Sequence, residues 1–244
     1  MRTALVAAEL VKLRTVRTGL AVLPVAAVLT LWAAVQPVMQ AGRSGAPSLG
    51  TAGALLAVLD ALRRGAMVAL LAGVLVVTWD VRHGTLTGTL LQTPRRAAVL
   101  GAKAVVAVLL ALVAAGIDLT VVLAVGRLSG AVDPAMMNGD IVLRVVGLLT
   151  AYPLYALLGV ALGALLLSQP VAVVLPLLWA TLLERLLVPE RLAPWSLSGV
   201  TAALANTGDV AGVLPVQVGA AALLAYAVTA LALGGARLLR HDIT

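Results

Sequence analysis

The chain has 244 residues, 62% of them hydrophobic and 11% charged, with a formal net charge of +7 and a mean hydropathy of +1.10. Soluble domains are about 45–50% apolar and about 25% charged, so the composition excludes an ordinary soluble fold and points to an integral membrane protein. The absence of cysteine excludes disulfides, thiolate metal sites and cysteine nucleophiles together.

An apolar helix needs about 20 residues to cross about 30 Å of hydrocarbon. Six stretches meet or approach that length: residues 18–38, 64–79, 99–125, 141–167, 171–188 and 214–239. The expected fold is therefore all-α, a polytopic membrane protein of six transmembrane helices, with residues 1–244 as one transmembrane domain. A cleaved secretory signal at the start is not expected, because the first apolar run exceeds the roughly 7–15 residues of a signal core and its leader carries Glu9.

Six spans put both ends on one side, and short-loop Lys and Arg decide which. The side holding the termini carries Arg2, Lys12, Arg14, Arg17, Arg82, Arg95, Arg96, Lys103, Arg237 and Arg240 against Glu9, Asp80 and Asp242. The other side carries Arg43, Arg63, Arg64, Arg127, Arg144, Arg185 and Arg191 against Asp60, Asp133, Asp140, Glu184, Glu190 and Asp209. The asymmetry predicts cytoplasmic termini. It also makes the positive balance a topology signal, so no nucleic-acid partner is expected. Fifteen of the 17 basic residues are arginine, a usage that fits a GC-rich bacterial genome.

The loop at 80–98 is the largest on the inner side. Gly84 can break the second helix, Thr85 can cap a new one, and Pro94 must end it. Between them Leu86 and Leu90 share a face at i and i+4. Such a short helix either lies on anionic headgroups or docks a cytoplasmic partner, and composition does not choose. The segment 1–17 before the first span is less regular: Leu5, Leu13 and Val16 fall close to Glu9 and Lys12 on a helical projection, so charged and apolar faces do not separate.

Other chemistry is sparse. No Gly-x-x-x-x-Gly-Lys-Ser/Thr occurs, and "GAKA" at 101–104 lacks both the spacing and the hydroxyl. His83 and His241 have no paired ligand nearby, so no metal site is expected. Asp118 is an acidic residue well inside a span and a functional candidate by position; the preferred reading is an ion pair with Arg64 or Arg144, ahead of a proton or substrate role. Gly159 and Gly163 form a small-xxx-small face suited to close helix packing, within the bundle or across a dimer. Pro24, Pro176 and Pro215 are candidate kinks. The segment 189–213, with Trp195, reads as an extracellular loop or a re-entrant segment.

Three stretches carry a resemblance. "ELVKLRTVRTG" at 9–19, "WDVRHGTLTGTLLQTPRRAAVLGAK" at 79–103 and "ARLLRHDIT" at 236–244 resemble the permease subunits of bacterial ABC-2 type exporters. The middle stretch is the most specific, with Arg-His-Gly-Thr, a Leu-rich segment, Pro-Arg and a lysine in the family's order. The resemblance implies a transmembrane permease without enzymatic activity, in the bacterial cytoplasmic membrane, paired with a second permease copy or a sister chain. A separate ABC ATPase subunit would hold ATP and Mg, with no cofactor in this chain. The loop after the second span would be a coupling helix, with Arg82, His83, Gly84, Thr85, Leu86, Leu90, Pro94, Arg95 and Arg96 at the contact or its frame. Glu9, Lys12, Arg14 and Arg17 would belong to a connecting helix near the same partner. Export of a hydrophobic or amphipathic substrate, an antibiotic, drug, peptide or lipid-like molecule, is the implied function. The rival class is an ATP-independent membrane protein, an ion-coupled carrier or a structural or immunity scaffold. A carrier would show several intramembrane charges and inverted repeats, whereas Asp118 stands alone and no repeat is found in the sequence.

Overall fold

The computed structural model describes residues 2–15, 20–43, 45–84, 96–133, 136–205 and 212–240. These residues are overwhelmingly helical, with no strand among them, and six helices are long and apolar enough to cross a membrane. In chain order the spans are Val22–Gln40, Ala52–Arg82, Ala97–Leu128, Gly139–Leu166, Gln169–Leu187 and Val216–Arg237, here called spans one to six. A helix over Arg2–Thr15, α1, precedes them, and a short helix over Leu197–Leu204, α2, sits between spans five and six.

Span two is longer than its apolar core predicts. The helix Ala52–Leu59 is capped by the Thr51 hydroxyl, which accepts from the Ala54 amide. After a turn at Asp60 and Ala61 the helix Leu62–Arg82 follows. Arg63 and Arg64 therefore occupy a first helical turn rather than a loop. The loop of 80–98 contracts correspondingly, because Asp80 to Arg82 end one helix and Arg96 begins the next. Gly84 ends span two as expected: its φ of +66° is left-handed, a conformation glycine takes without strain.

Span two is also the centre of the bundle. Of its apolar window 72% is buried, against 17% for span five, so the other helices arrange themselves around it. Span four is its main partner, and the approach is close because both helices present glycine. A methyl group at Gly73 would strike the Ala156 carbonyl, and one at Gly159 would strike the Leu70 carbonyl. Gly163 meets Val77 and Val74 of span two in the same way. The small-residue face of span four is thus used inside this chain. The core continues from Leu55, Leu62 and Leu70 of span two into Leu148, Tyr152 and Val160 of span four and Leu223 of span six.

Two ends can be told apart. At one, the Arg82 guanidinium donates to the Gln169 side chain at 3.2 Å, bringing the link between spans four and five beside the root of the loop at 83–95. At the other, α2 is pinned to span four by the Tyr155 hydroxyl, 2.6 Å from Thr201 Oγ1. Span five is irregular there. After Pro176 the helix opens into a π turn over Trp179–Leu183 and then closes again over Glu184–Leu187.

The expected ion pair of Asp118 does not form. Neither Arg64 nor Arg144 pairs with it among the described residues; its Oδ2 instead accepts the Tyr152 hydroxyl at 2.8 Å, and both residues are fully buried. Gly65 leaves the space: a methyl group there would fall on Asp118 Oδ2 and the Tyr152 hydroxyl, with Thr30 beyond. The phenol satisfies Oδ2 without bringing a second charge into the core, while Oδ1 is buried with no hydrogen-bond partner among the described residues. Asp118→Asn, whose amide oxygen still accepts from Tyr152, should therefore shift unfolding by no more than about 0.5 kcal/mol, whereas Asp118→Leu strands the phenol and costs about 1–3 kcal/mol. Denaturant midpoints in detergent measure both; a loss of several kcal/mol for the asparagine variant would restore an ionic role.

Candidate functional site

Four charged side chains converge at the root of the loop. Glu9 and Lys12 lie one turn apart on α1. Asp80 is in the last turn of span two, and Lys103 is about two turns into the helix Arg96–Leu128. Lys103 Nζ is 2.6 Å from Asp80 Oδ2, 2.9 Å from Glu9 Oε2 and 3.0 Å from the Val76 carbonyl. An ammonium has three protons to donate, and these three acceptors use them all. Lys12 Nζ closes the ring at 2.9 Å from Glu9 Oε1 and 3.2 Å from Asp80 Oδ2.

Burial makes this arrangement consequential. Lys103 is 1% exposed, Asp80 3% and Glu9 7%, so none of the three is solvated well enough to stand alone. An isolated buried charge costs several kcal/mol, and only pairing with good geometry offsets that. Among the described residues the ring has two ammonium and two carboxylate groups, so each buried charge has opposite neighbours. Lys12 is the half-buried member: burial works against its charge, but the hydrogen bond and field of Glu9, then Asp80, hold its pKa above the ordinary 10.5. That raised value means the Lys12 pairing is fully present below the ordinary lysine range and is lost only as pH climbs through the raised value.

The ring explains why α1 fails to look amphipathic. Its charged residues Glu9 and Lys12 turn inward to Lys103 and Asp80, while Leu10 and Val11 are exposed. A helix whose charges are locked into the bundle shows that inverted pattern. The chain has only two lysines, Lys12 and Lys103, and both are in the ring. A compact ammonium fits three acceptors around one point, and a planar guanidinium does not. Lys103→Arg should accordingly cost about 1–3 kcal/mol through overpacking and misaligned donors, read as a lowered melting temperature of the purified protein; an unchanged melting temperature would show that the three-acceptor geometry is not what selects lysine.

The residues expected at the loop divide. Arg82 and His83 are exposed, and the His83 ring stacks on Trp79 with centroids 4.4 Å apart. Its Nδ1 is 3.0 Å from the Trp79 carbonyl, which fixes the ring over the last turn of span two. Gly84 completes the stop. Thr85, Leu86, Leu90, Pro94, Arg95 and Arg17 lie outside the described residues, as do the side chains of Arg14 and Arg96. Asp80 and Lys103, which the sequence reading treated as topology markers, are the buried centre of the site. Among the described residues no group of His, Asp or Glu could hold a metal ion.

The fold and site together define the class: a helical protein with six helices fit to cross a membrane and a buried ionic joint at one end of the bundle. No family model matches the chain, and no curated protein matches it.

Proposed function

We propose that this chain is the permease subunit of an ABC-2 type exporter, in which a separate ATPase acts on the loop at 83–95 and the bundle carries a hydrophobic or amphipathic substrate outward. The observation that carries the reading is the ring of Glu9, Lys12, Asp80 and Lys103 at the root of that loop. A force on the loop acts on the ends of spans two and three, and the ring ties those ends to one another and to α1. The three parts therefore move as one piece. A headgroup-resting loop would need no such joint.

The resemblance over 79–103 supplies the partner's identity, and the positive side of the chain supplies the orientation, with termini and loop facing the cytoplasm. The sequence lacks a phosphate-binding Gly-Lys-Ser/Thr loop, so nucleotide hydrolysis belongs to the partner. Spans one, five and six, which keep most of their apolar surface uncovered in this chain, are the faces available to a second permease copy.

Transport into inside-out vesicles tests the reading. With a candidate ABC ATPase co-produced, a lipophilic substrate should accumulate with ATP and Mg and not with a non-hydrolysable analogue. Accumulation that ignores ATP, or follows an imposed ion gradient, would assign the chain to the ATP-independent class.

A further inference from the structure

At the end of the bundle opposite the charge ring, a cavity of about 430 Å³ lies against span two, flanked by spans one and five and roofed by α2. That volume is within the range of small-molecule sites, roughly 300–1,000 Å³. Its wall is mostly apolar, with Leu29 and Trp32 from span one, Met67 and Leu71 from span two and Leu177 from span five. Its buried charge is Glu184, 6% exposed.

The two oxygens of Glu184 have different fates. Oε1 accepts the Ser198 amide at 2.9 Å and the Ser198 hydroxyl, capping the start of α2. Oε2 is buried and has no hydrogen-bond partner. The other acidic residue on the wall, Asp60, is taken by Arg63 at 3.3 Å, and Arg64 is exposed. Among the lining residues the buried side-chain atom without a partner is therefore an anionic one; Arg144 Nε, buried and unpartnered, is not part of the lining. A buried carboxylate oxygen without a donor is costly, and the π turn directly before Glu184 is a feature that concentrates at functional sites. Trp32, on the same wall, offers an aromatic face suited to a cation.

We infer that this cavity binds an amphiphile carrying an ammonium group, its cationic end meeting Glu184 Oε2 and its apolar body lying against spans one, two and five. The inference deepens the exporter reading by giving the cargo's polar end a sign. Binding is measured without nucleotide or ATPase, so its failure and the failure of that reading are separate results. Two sources share this chemistry, a phospholipid with an amine headgroup and a smaller lipophilic amine.

The full chain, purified in uncharged maltoside micelles, is titrated with tetrapentylammonium while tryptophan fluorescence is followed. Saturable binding is expected for the wild type, weakened at least tenfold in Glu184→Gln, whose amide oxygen can keep the Ser198 cap. Ala180→Leu, which fills the cavity and keeps the carboxylate, should weaken binding comparably and serves if the glutamine variant does not fold. Dodecyl sulfate should not compete. Competition by phosphatidylethanolamine but not phosphatidylglycerol supports the cavity with a lipid as the natural source, and competition by neither supports it with the smaller amine. Equal affinity in wild type and both variants, or preferential binding of the sulfate, overturns the proposal.

Discussion

Lys103→Met should cost about 3–5 kcal/mol, because it takes the buried ammonium away from two buried carboxylates that it contacts directly. Methionine matches the length of the lysine stem, so the loss isolates charge from volume. The Val76 carbonyl loses its donor at the same time. Folding should be rescued in part by removing an anion as well: Lys103→Met with Asp80→Leu leaves Glu9 paired with Lys12, a balanced pair. The double-mutant cycle should show a coupling toward the upper end of about 0.5–3 kcal/mol. Detergent-solubilised protein, followed by thermal unfolding and by the fraction eluting as a single species, gives both numbers. Additive losses would mean that the two side chains do not sense each other and that the ring is not a unit. If the exporter reading holds, the rescued double variant should hydrolyse ATP with its partner and transport poorly, since span three no longer holds the joint.

Gly159→Leu should also be strongly damaging, at or beyond the top of the roughly 1–3 kcal/mol range for overpacking. The added side chain would begin where the Leu70 carbonyl and the Val74 amide already stand, and neither backbone atom can yield without moving span two. Span two is the helix on which the bundle is built, so the displacement has nowhere local to relax. Gly73→Val, reaching the Ala156 carbonyl from the other side, should reproduce the effect. Gly116→Ala is the control: an added methyl there meets nothing within 4 Å, and replacing glycine within a helix should stabilise by about 0.5–1 kcal/mol. Expression level and melting temperature in detergent separate the outcomes. Tolerance of leucine at 159 would show that spans two and four do not meet through their backbones.

The architecture was legible where one physical signal dominates. Apolar runs of the right length marked the six spans, Gly84 marked the end of span two, and the spacing of Gly159 and Gly163 marked a close helix contact. The ionic joint was not legible in the same way. Lys103 contacts residues 23 and 94 positions away, and periodicity says nothing at such separations. One signal was available: a chain that otherwise uses arginine keeps lysine at two positions, both of them where an ammonium is needed.

Asp118 shows the opposite failure. Reasoning from charge alone looks for arginine, but a buried carboxylate accepts a hydrogen bond from a phenol as readily, and Tyr152 lies 34 positions along the chain. The sequence places Glu184 only among the acidic residues of the outer side, because its partner Ser198 lies 14 positions further on. The π turn at Trp179–Leu183 adds a residue to the turn ahead of it, and no simple pattern anticipates where the next side chain points.

The central claim is that a nucleotide-hydrolysing partner seats on the loop whose root the charge ring holds. The chain lacks cysteine, so Leu90→Cys provides a single thiol in that loop, and a short crosslinker applied in native membranes reads its neighbour. The account predicts capture of a soluble nucleotide-binding subunit, abolished when Leu86 is changed to Asp in the same chain. A thiol that labels freely from the aqueous phase and captures only lipid would contradict it, leaving the loop as a surface anchor and the ring as a structural clamp without a partner to move it.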